Sequence, residues 1–303
     1  IPLIENPNEF YRKTRRVEYL LLNNLTPIDS RCLLDAAARE TRSVLLIFNT
    51  KRAVLEFYNS AKNNNNWEKK YHLSTAMCPS HRKDVIANIH ADLKVKKKIM
   101  VASTQLIEAG VDFDFPVVFR AMAPLESLIQ AAGRCNRENR LGKSGGKVFL
   151  FKMLDATMPD KTYAACAAHA EEFLQTDMNQ LHDSRTFNKY YSQVVRLFVD
   201  PDRFKINAAR RRFDFQTVND SYYIIQDQTE ALFVYHFNDE SRRLLHIVEN
   251  KDFLSRDDLR KMQSYTVQVY KHFLIKNEKM CKLMPQGFNV WYGHYDMATG
   301  ISV

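Results

Sequence analysis

The feature that most restricts the fold of this chain is a series of short apolar runs, each ending abruptly in polar residues. Ser43-Val44-Leu45-Leu46-Ile47-Phe48 stops at Asn49-Thr50, Tyr71-His72-Leu73 stops at Ser74-Thr75, and Lys98–Ser103 stops at Thr104-Gln105. The first is rich in strand-forming residues and has no polar alternation, so both its faces are expected to be buried. Between the runs the spacing is helical. Lys51–Lys62 carries Val54, Leu55, Phe57 and Tyr58, and Pro79–Leu93 puts Val85, Ile86, Ile89 and Leu93 on one stripe. Pro116–Arg120 and Val148–Phe151 predict further strands, and Leu125–Gly133 a further helix. Strands alternating with helices of this length predict an α/β fold, an open and mainly parallel sheet with helices on both faces. Ligands of such sheets sit beyond the carboxyl ends of the strands, where Asn49-Thr50, Ser74-Thr75 and Thr104-Gln105 fall.

The flanks read differently. Residues 1–43 are polar and mixed, with a helix capped by Ser30 running to Ala38. Within them the cluster Tyr11-Arg12-Lys13-Thr14-Arg15-Arg16 suits either a phosphate contact or a solvated linker. After Leu154 the spacing predicts helices over Lys161–Met178 and Tyr190–Phe198. Farther on, aromatics become frequent. A hairpin is expected within 222–247, a helix over Leu259–Ile275, and a strand with a turn over Phe288–Asp296. The expected organisation is thus an α/β lobe at 1–154, a helical linker at 155–200 and a small mixed α+β domain at 201–303.

The formal charge of +9 favours a polyanionic partner, nucleic acid before membrane, although a solvated basic surface has the same composition. No apolar run approaches the ~20 residues needed to cross a bilayer. Cys32, Cys78, Cys135, Cys166 and Cys281 are odd in number and widely spaced, which predicts reduced thiols and a cytoplasmic location, not a disulfide framework or a zinc site. A first residue of Ile1 suggests part of a longer protein.

Two stretches carry chemistry. Val101–Asp114 is an apolar run that ends in Ser103-Thr104-Gln105, Gly110 and two aspartates; Gln130-Ala131-Ala132-Gly133-Arg134-Cys135-Asn136-Arg137 holds two arginines three apart. That spacing puts Arg134 and Arg137 on one side of a helical turn. A planar guanidinium can bind two phosphate oxygens at once. Gly133 allows close backbone approach, Gly110 permits the turn that aims Asp112, and Asp112 can accept from a ribose hydroxyl. Taken singly, an arginine pair is usually a surface feature and an aspartate after glycine a turn. Their conjunction after strand-like runs points to one side of a nucleotide site.

These residues also resemble a known family. Ser103-Thr104-Gln105-x-x-Glu108-x-Gly110-x-Asp112-x-Asp114 resembles motif V of superfamily 2 helicases, Gln130-x-x-Gly133-Arg134-x-x-Arg137 motif VI, and Leu45–Thr50 motif IV. With Leu73–Arg82 and Ala131–Glu138, the pattern is similar to the CRISPR-associated helicase-nuclease of type I systems over about residues 40–152. The resemblance implies a second RecA-like lobe followed by an accessory C-terminal domain. It implies an ATP-dependent single-stranded DNA translocase moving 3′ to 5′, recruited by a CRISPR RNA-guided surveillance complex. Arg134 and Arg137 would be arginine fingers and Gln130 a nucleotide contact. Gly110 and Asp112 would serve the ribose, and Asn49, Thr50, Ser74, Thr75 and Thr104 would lie near the DNA backbone. Ala131 departs from many relatives outside this family, which carry arginine there. The implied cofactors are ATP and Mg2+, both needing a first RecA-like lobe, while the nuclease metals would belong to an HD nuclease domain.

Several look-alikes carry less. Gly142-Lys143-Ser144 resembles the end of a P-loop, but the earlier glycine position is Arg137. His182-Asp183 stands without histidines at ligand spacing. Arg210-Arg211-Arg212 suits DNA phosphate or a domain interface equally. His81 and Arg82 are weak candidates that could simply cap a helix. The chain alone is therefore expected to hydrolyse no ATP and cut no DNA. Two alternatives remain open at this point: half of another superfamily 2 helicase acting on DNA or RNA, or a non-catalytic module that binds nucleic acid or protein.

Overall fold

The computed structural model describes residues 9, 13, 15–108, 110–142, 145–155, 157–176, 181, 184–197, 202, 204–222 and 229–301. Lys143-Ser144, His182-Asp183 and Tyr11, Arg12 and Thr14 of the basic cluster lie outside these residues. Six strands, β1 (Val17–Leu21), β2 (Val44–Phe48), β3 (Lys69–Leu73), β4 (Ile99–Thr104), β5 (Val117–Ala121) and β6 (Gly146–Phe151), form one sheet in the order β1-β6-β5-β2-β4-β3. Every pairing is parallel.

The apolar runs become two-faced strands because both faces are covered. Every residue of β2, β4 and β5 is buried. Val44, Leu46 and Phe48 point to one side, where Leu33, Val54 and Phe57 of helices Ser30–Ala38 and Lys51–Ala61 meet them. Leu45 and Ile47 point to the other, against Ile89, Leu125 and Leu128 of helices Pro79–Lys94 and Leu125–Ala132. Alternate residues thus enter separate cores, as the period of two requires. Helices Lys161–Thr176 and Ser184–Arg196 close the second side through Ala170, Phe173 and Tyr190.

Three expectations are corrected. Residues 17–21, within the stretch read as polar and mixed, form an edge strand, paired with β6 from Val17↔Gly146 to Leu21↔Leu150. Its glutamate at position 18 is exposed, which hid the pattern. Helix Ser30–Ala38 is capped by Asp29, which accepts from the Cys32 N–H at 2.7 Å, not by Ser30. In the tail, the described residues of 222–247 hold one strand and one helix, and the expected helix over Leu259–Ile275 is interrupted by a strand. β7 (Thr229–Val234) leads into helix Asp239–Glu249, opened by the reciprocal cap of Asn238 and Ser241. Helix Arg256–Gln263 stops before β8 (Thr266–Tyr270), whose Thr-Val-Gln-Val-Tyr alternation buries Val267 and Val269. With β9 (Cys281–Leu283) and β10 (Asn289–Trp291), these strands make a mixed sheet in the order β8-β7-β10-β9.

The tail sheet is bolted to the first lobe by β11 (Tyr295–Asp296) and β12 (Gly300–Ile301), a two-stranded ribbon. The Cys78 N–H donates to the Tyr295 hydroxyl at 3.0 Å, and His81 Nδ1 lies 2.8 Å from the same oxygen. Ile301 N–H donates to the Ala76 carbonyl at 2.9 Å. Gly300 has φ +85°, and a Cβ there would lie 2.2 Å from the Ala76 carbonyl oxygen, so only glycine lets the backbones approach. His81 thus joins two parts of the chain and does not cap its own helix.

Asp92 anchors the far end of helix Pro79–Lys94. It accepts from the Tyr71 hydroxyl at 2.5 Å and pairs with Lys69 and Lys97 at 3.0 Å each. The Tyr71 hydrogen bond, with help from the two lysines, holds its carboxyl down at about 2. Because the folded value lies below the unfolded one, the stabilisation is complete above ~4 and is lost as pH falls toward the folded value. Asp92→Asn is expected to lower the melting temperature at pH 7 by several degrees, at ~2–4 °C per kcal/mol lost. The gap from wild type should narrow as the pH of the melt is lowered through this window; a gap independent of pH would contradict the assignment.

Candidate nucleotide and nucleic-acid site

The two predicted stretches come together. β4 ends at Thr104 and passes through a tight turn, Gln105–Ile107, into the loop that carries Glu108, Gly110 and Asp112. Helix Leu125–Ala132 ends at Gly133, and the chain turns through Arg134 to Arg137 beside that loop. The Phe115 N–H donates to the Arg134 carbonyl and the Asn136 N–H to the Phe115 carbonyl, both at 2.9 Å. A cleft of about 460 Å³ opens between them, lined by Arg16, Glu108, Gln130, Gly133, Arg134, Arg137 and Glu138.

The two arginines are held in different ways. Arg134 is buried, and its Nε and Nη2 donate to the carbonyls of Ile107 (2.8 Å) and Glu108 (2.5 Å). Burial, reinforced by Arg137, pulls its pKa below the ordinary arginine value without threatening its charge. Arg137 is about one-third exposed, and its Nη2 pairs at 2.9 Å with Asp112, itself 81% exposed. Its backbone is fixed separately. The Arg137 N–H donates to Asp114 Oδ1 at 2.7 Å, and Arg16 Nη1 donates to the Arg137 carbonyl at 2.6 Å. Arg134 therefore shapes the loop, whereas Arg137 can exchange a solvated carboxylate for another anion. Gly110 has φ +77°, the left-handed region that a turn toward Asp112 requires. Gln130 is exposed on the cleft wall. Gly133 already stands close to its own helix, with a Cβ position 3.1 Å from the Gln130 carbonyl oxygen.

The strand-end residues divide. Asn49, Ser74 and Thr104 are buried, and the first two have internal hydrogen-bond partners. Asn49 Nδ2 donates to the Met122 carbonyl at 2.8 Å, and Ser74 Oγ accepts from the Ala76 N–H. Thr50 Oγ1 caps helix Lys51–Ala61 by accepting from the Ala53 N–H at 3.2 Å. Thr75 is exposed and lines a second cleft of about 500 Å³. Its other walls are Lys51, Pro79 and Arg82 from the first lobe and Thr229, Gln263, Thr266, Gln268 and Tyr270 from the tail. Burial lowers the pKa of both Lys51 and Arg82. Lys51 Nζ stands 5.8 Å from the Tyr270 ring centroid. The lining contains two cations and no carboxylate, and the helices Lys51–Ala61 and Pro79–Lys94 both begin at it, a setting that favours an anion.

Sequence reasoning did not single out the group behind these clefts. Arg120, fully buried in β5, lies 2.8 Å from Glu108 Oε1 through Nη2 and donates to Asn49 Oδ1 at 2.7 Å through Nη1. Burial raises the Glu108 pKa, and Arg120 opposes that rise. The readable signal was an arginine inside an otherwise apolar run. Among the described residues, no group of three or more His, Cys, Asp or Glu is placed to hold a metal ion, and no helix is long and apolar enough to cross a membrane.

A parallel six-stranded sheet with these motifs at its strand ends has a RecA-like fold. Residues 40–140 match the family described as CRISPR-associated nuclease/helicase Cas3, C-terminal. A 56-residue stretch, 18% of this chain and 6% of its counterpart, is 52% identical to the CRISPR-associated nuclease/helicase Cas3 of Haloferax volcanii. The crystal structure of T. fusca Cas3-ATP superposes with a TM-score of 0.64 at 12% identity, over 99% of this chain and 43% of that one. A chain from a CRISPR RNA-guided surveillance complex, pre-nicking, superposes at 0.52 and 14% identity, over 84% of this chain and 37% of that one. Residues 40–140 thus match the C-terminal helicase region of the Cas3 family, and the chain spans less than half the length of these structural relatives.

Proposed function

We propose that this chain is the C-terminal half of an ATP-dependent, 3′-to-5′ single-stranded DNA translocase that acts, within a longer helicase-nuclease, in type I CRISPR interference against foreign DNA. The observation that carries this reading is Arg137, a partly exposed guanidinium on a hydrogen-bonded backbone, opposed by a solvated carboxylate beside a cleft that it lines. Such a group suits the terminal phosphate of a nucleotide held by another lobe. Arg137 and Gln130 would face that phosphate, Gly110 and Asp112 the ribose, and Arg134 would hold the loop between them. When bound, ATP supplies the phosphoryl-transfer free energy, with Mg2+ held by the first RecA-like lobe. An HD nuclease domain and its metals would lie in the same longer protein, and a CRISPR RNA-guided surveillance complex would deliver the DNA. The organisation that fits is a helicase lobe at 1–154, a helical linker at 155–200 and an accessory domain at 201–303.

The second cleft is the DNA face in this reading, with Thr75, Lys51 and Arg82 toward the backbone and Asn49, Thr50, Ser74 and Thr104 supporting them from beneath. A salt titration of single-stranded DNA affinity tests it. Each phosphate contact contributes about −0.7 to the slope of log affinity against log salt. Lys51→Gln and Arg82→Gln should each weaken binding for all sequences alike and flatten the slope by about that amount. An unchanged slope in both variants would place the DNA elsewhere.

A further inference from the structure

Tyr163 lies on helix Lys161–Thr176, outside residues 40–140 that match the family. Its hydroxyl meets three residues from three elements. It donates to Asn49 Oδ1 at 2.9 Å, and accepts from Arg120 Nη2 at 3.1 Å and from Gln105 Nε2 at 3.2 Å. One donor and two lone pairs are a hydroxyl's full capacity, so the oxygen is saturated. Asn49 follows β2, Gln105 follows β4, and Arg120 sits in β5 beside them. Arg120 continues the path to Glu108 Oε1 at 2.8 Å. The Glu108 carbonyl in turn accepts from Arg134, which lines the nucleotide cleft. A polar path, joined at Glu108 by an ion pair to its carboxylate and a hydrogen bond to its carbonyl, therefore runs from the ends of two central strands to that cleft. Asn49, Arg120, Glu108 and Arg134 are buried, so water cannot readily replace a bond lost among them.

A phenylalanine would fill nearly the same volume, so packing does not account for the hydroxyl. We propose that the Tyr163 hydroxyl is a positioning group that couples nucleic acid at the strand ends to the Glu108 loop, and through it to Arg134. The coupling rests on the translocase reading above. Displacing Gln105 or Asn49 opens one of the three bonds on the hydroxyl. Arg120 then redistributes between Asn49 and Glu108, and the loop gripped by Arg134 shifts with it. Removing the hydroxyl leaves both ends intact and disconnects them.

The test uses the intact helicase-nuclease and measures ATP turnover against single-stranded DNA concentration. Tyr163→Phe is expected to lower DNA-stimulated kcat about 10-fold, within the ~5–150-fold span of coupling between sites. The KM for ATP and the DNA concentration at half-stimulation should stay near wild type, a split that mere loosening of the fold would not produce. In a Gln105→Ala background the same substitution should cost little more, because both act through one bond. Unchanged stimulation in Tyr163→Phe, or a loss of turnover that follows thermal stability, would overturn the coupling. Wild-type protein whose ATP turnover ignores DNA would instead overturn the translocase reading, and the coupling with it.

Discussion

Arg137→Ala in the intact protein is expected to abolish DNA-stimulated ATP hydrolysis while leaving single-stranded DNA binding largely intact. An arginine supplied to the transferring phosphate from a second lobe raises turnover by ~10³–10⁵, and the variant should lose an effect of that order. The local structure makes this a clean substitution. The Arg137 backbone is held by Asp114 and Arg16, neither of which needs the side chain. The guanidinium pairs with Asp112, which is 81% exposed and keeps its solvation when the partner is removed. Stability should therefore change little, as for other solvated pairs. Arg134→Ala should differ. It releases the carbonyls of Ile107 and Glu108 and so loosens the loop, lowering stability as well as turnover. Steady-state ATP hydrolysis with saturating DNA separates the two, read beside thermal melts. Turnover surviving Arg137→Ala within a factor of a few would remove Arg137 from the nucleotide site.

Arg120→Leu is expected to be the most damaging single change to the lobe itself. Arg120 is fully buried and its partner Glu108 is 6% exposed. Removing one member of a buried pair leaves an uncompensated charge and typically costs ~3–5 kcal/mol. Glu108 would meet that cost in part by taking up a proton, the direction in which burial already pushes it. Asn49 and Tyr163 would each lose a donor as well. Glu108→Leu should be destabilising for the converse reason. The double variant should recover part of the loss, because replacing both charges by apolar groups removes the unpaired one. Chemical denaturation of wild type, the two single variants and the double variant checks this. A double variant with the summed loss of the singles would show that Arg120 and Glu108 do not act as a pair.

The helicase lobe was readable because its strands are continuous apolar runs, a pattern that few arrangements other than a covered parallel sheet satisfy. β2, β4 and β5 came from that signal, as did the helices between them. β1 escaped because an edge strand needs only one covered side, and Glu18 broke the run. The tail was misjudged where short elements follow one another without a breaker. Arg256–Tyr270 holds helix and strand in immediate succession, and helical spacing in the first half was carried into the second. At the site, Gln130, Arg134 and Arg137 line one cleft, with Asp112 paired to Arg137 beside it. Spacing could not show that Arg134 holds carbonyls while Arg137 faces a solvated partner. Nor could it show that Asn49 is buried against an arginine 71 positions away. Those distinctions depend on which side chain fills a donor's last free position, and that is settled by packing between elements distant in sequence.

The central claim is that the chain holds half of a nucleotide site. The most direct measurement is ATP hydrolysis by this chain alone and by the intact protein, each with saturating single-stranded DNA. The account predicts no turnover above buffer for the chain and DNA-stimulated turnover, dependent on Arg137, for the intact protein. ATP turnover by the chain alone, abolished by Arg137→Ala, would contradict it, because the whole site would then lie within these residues.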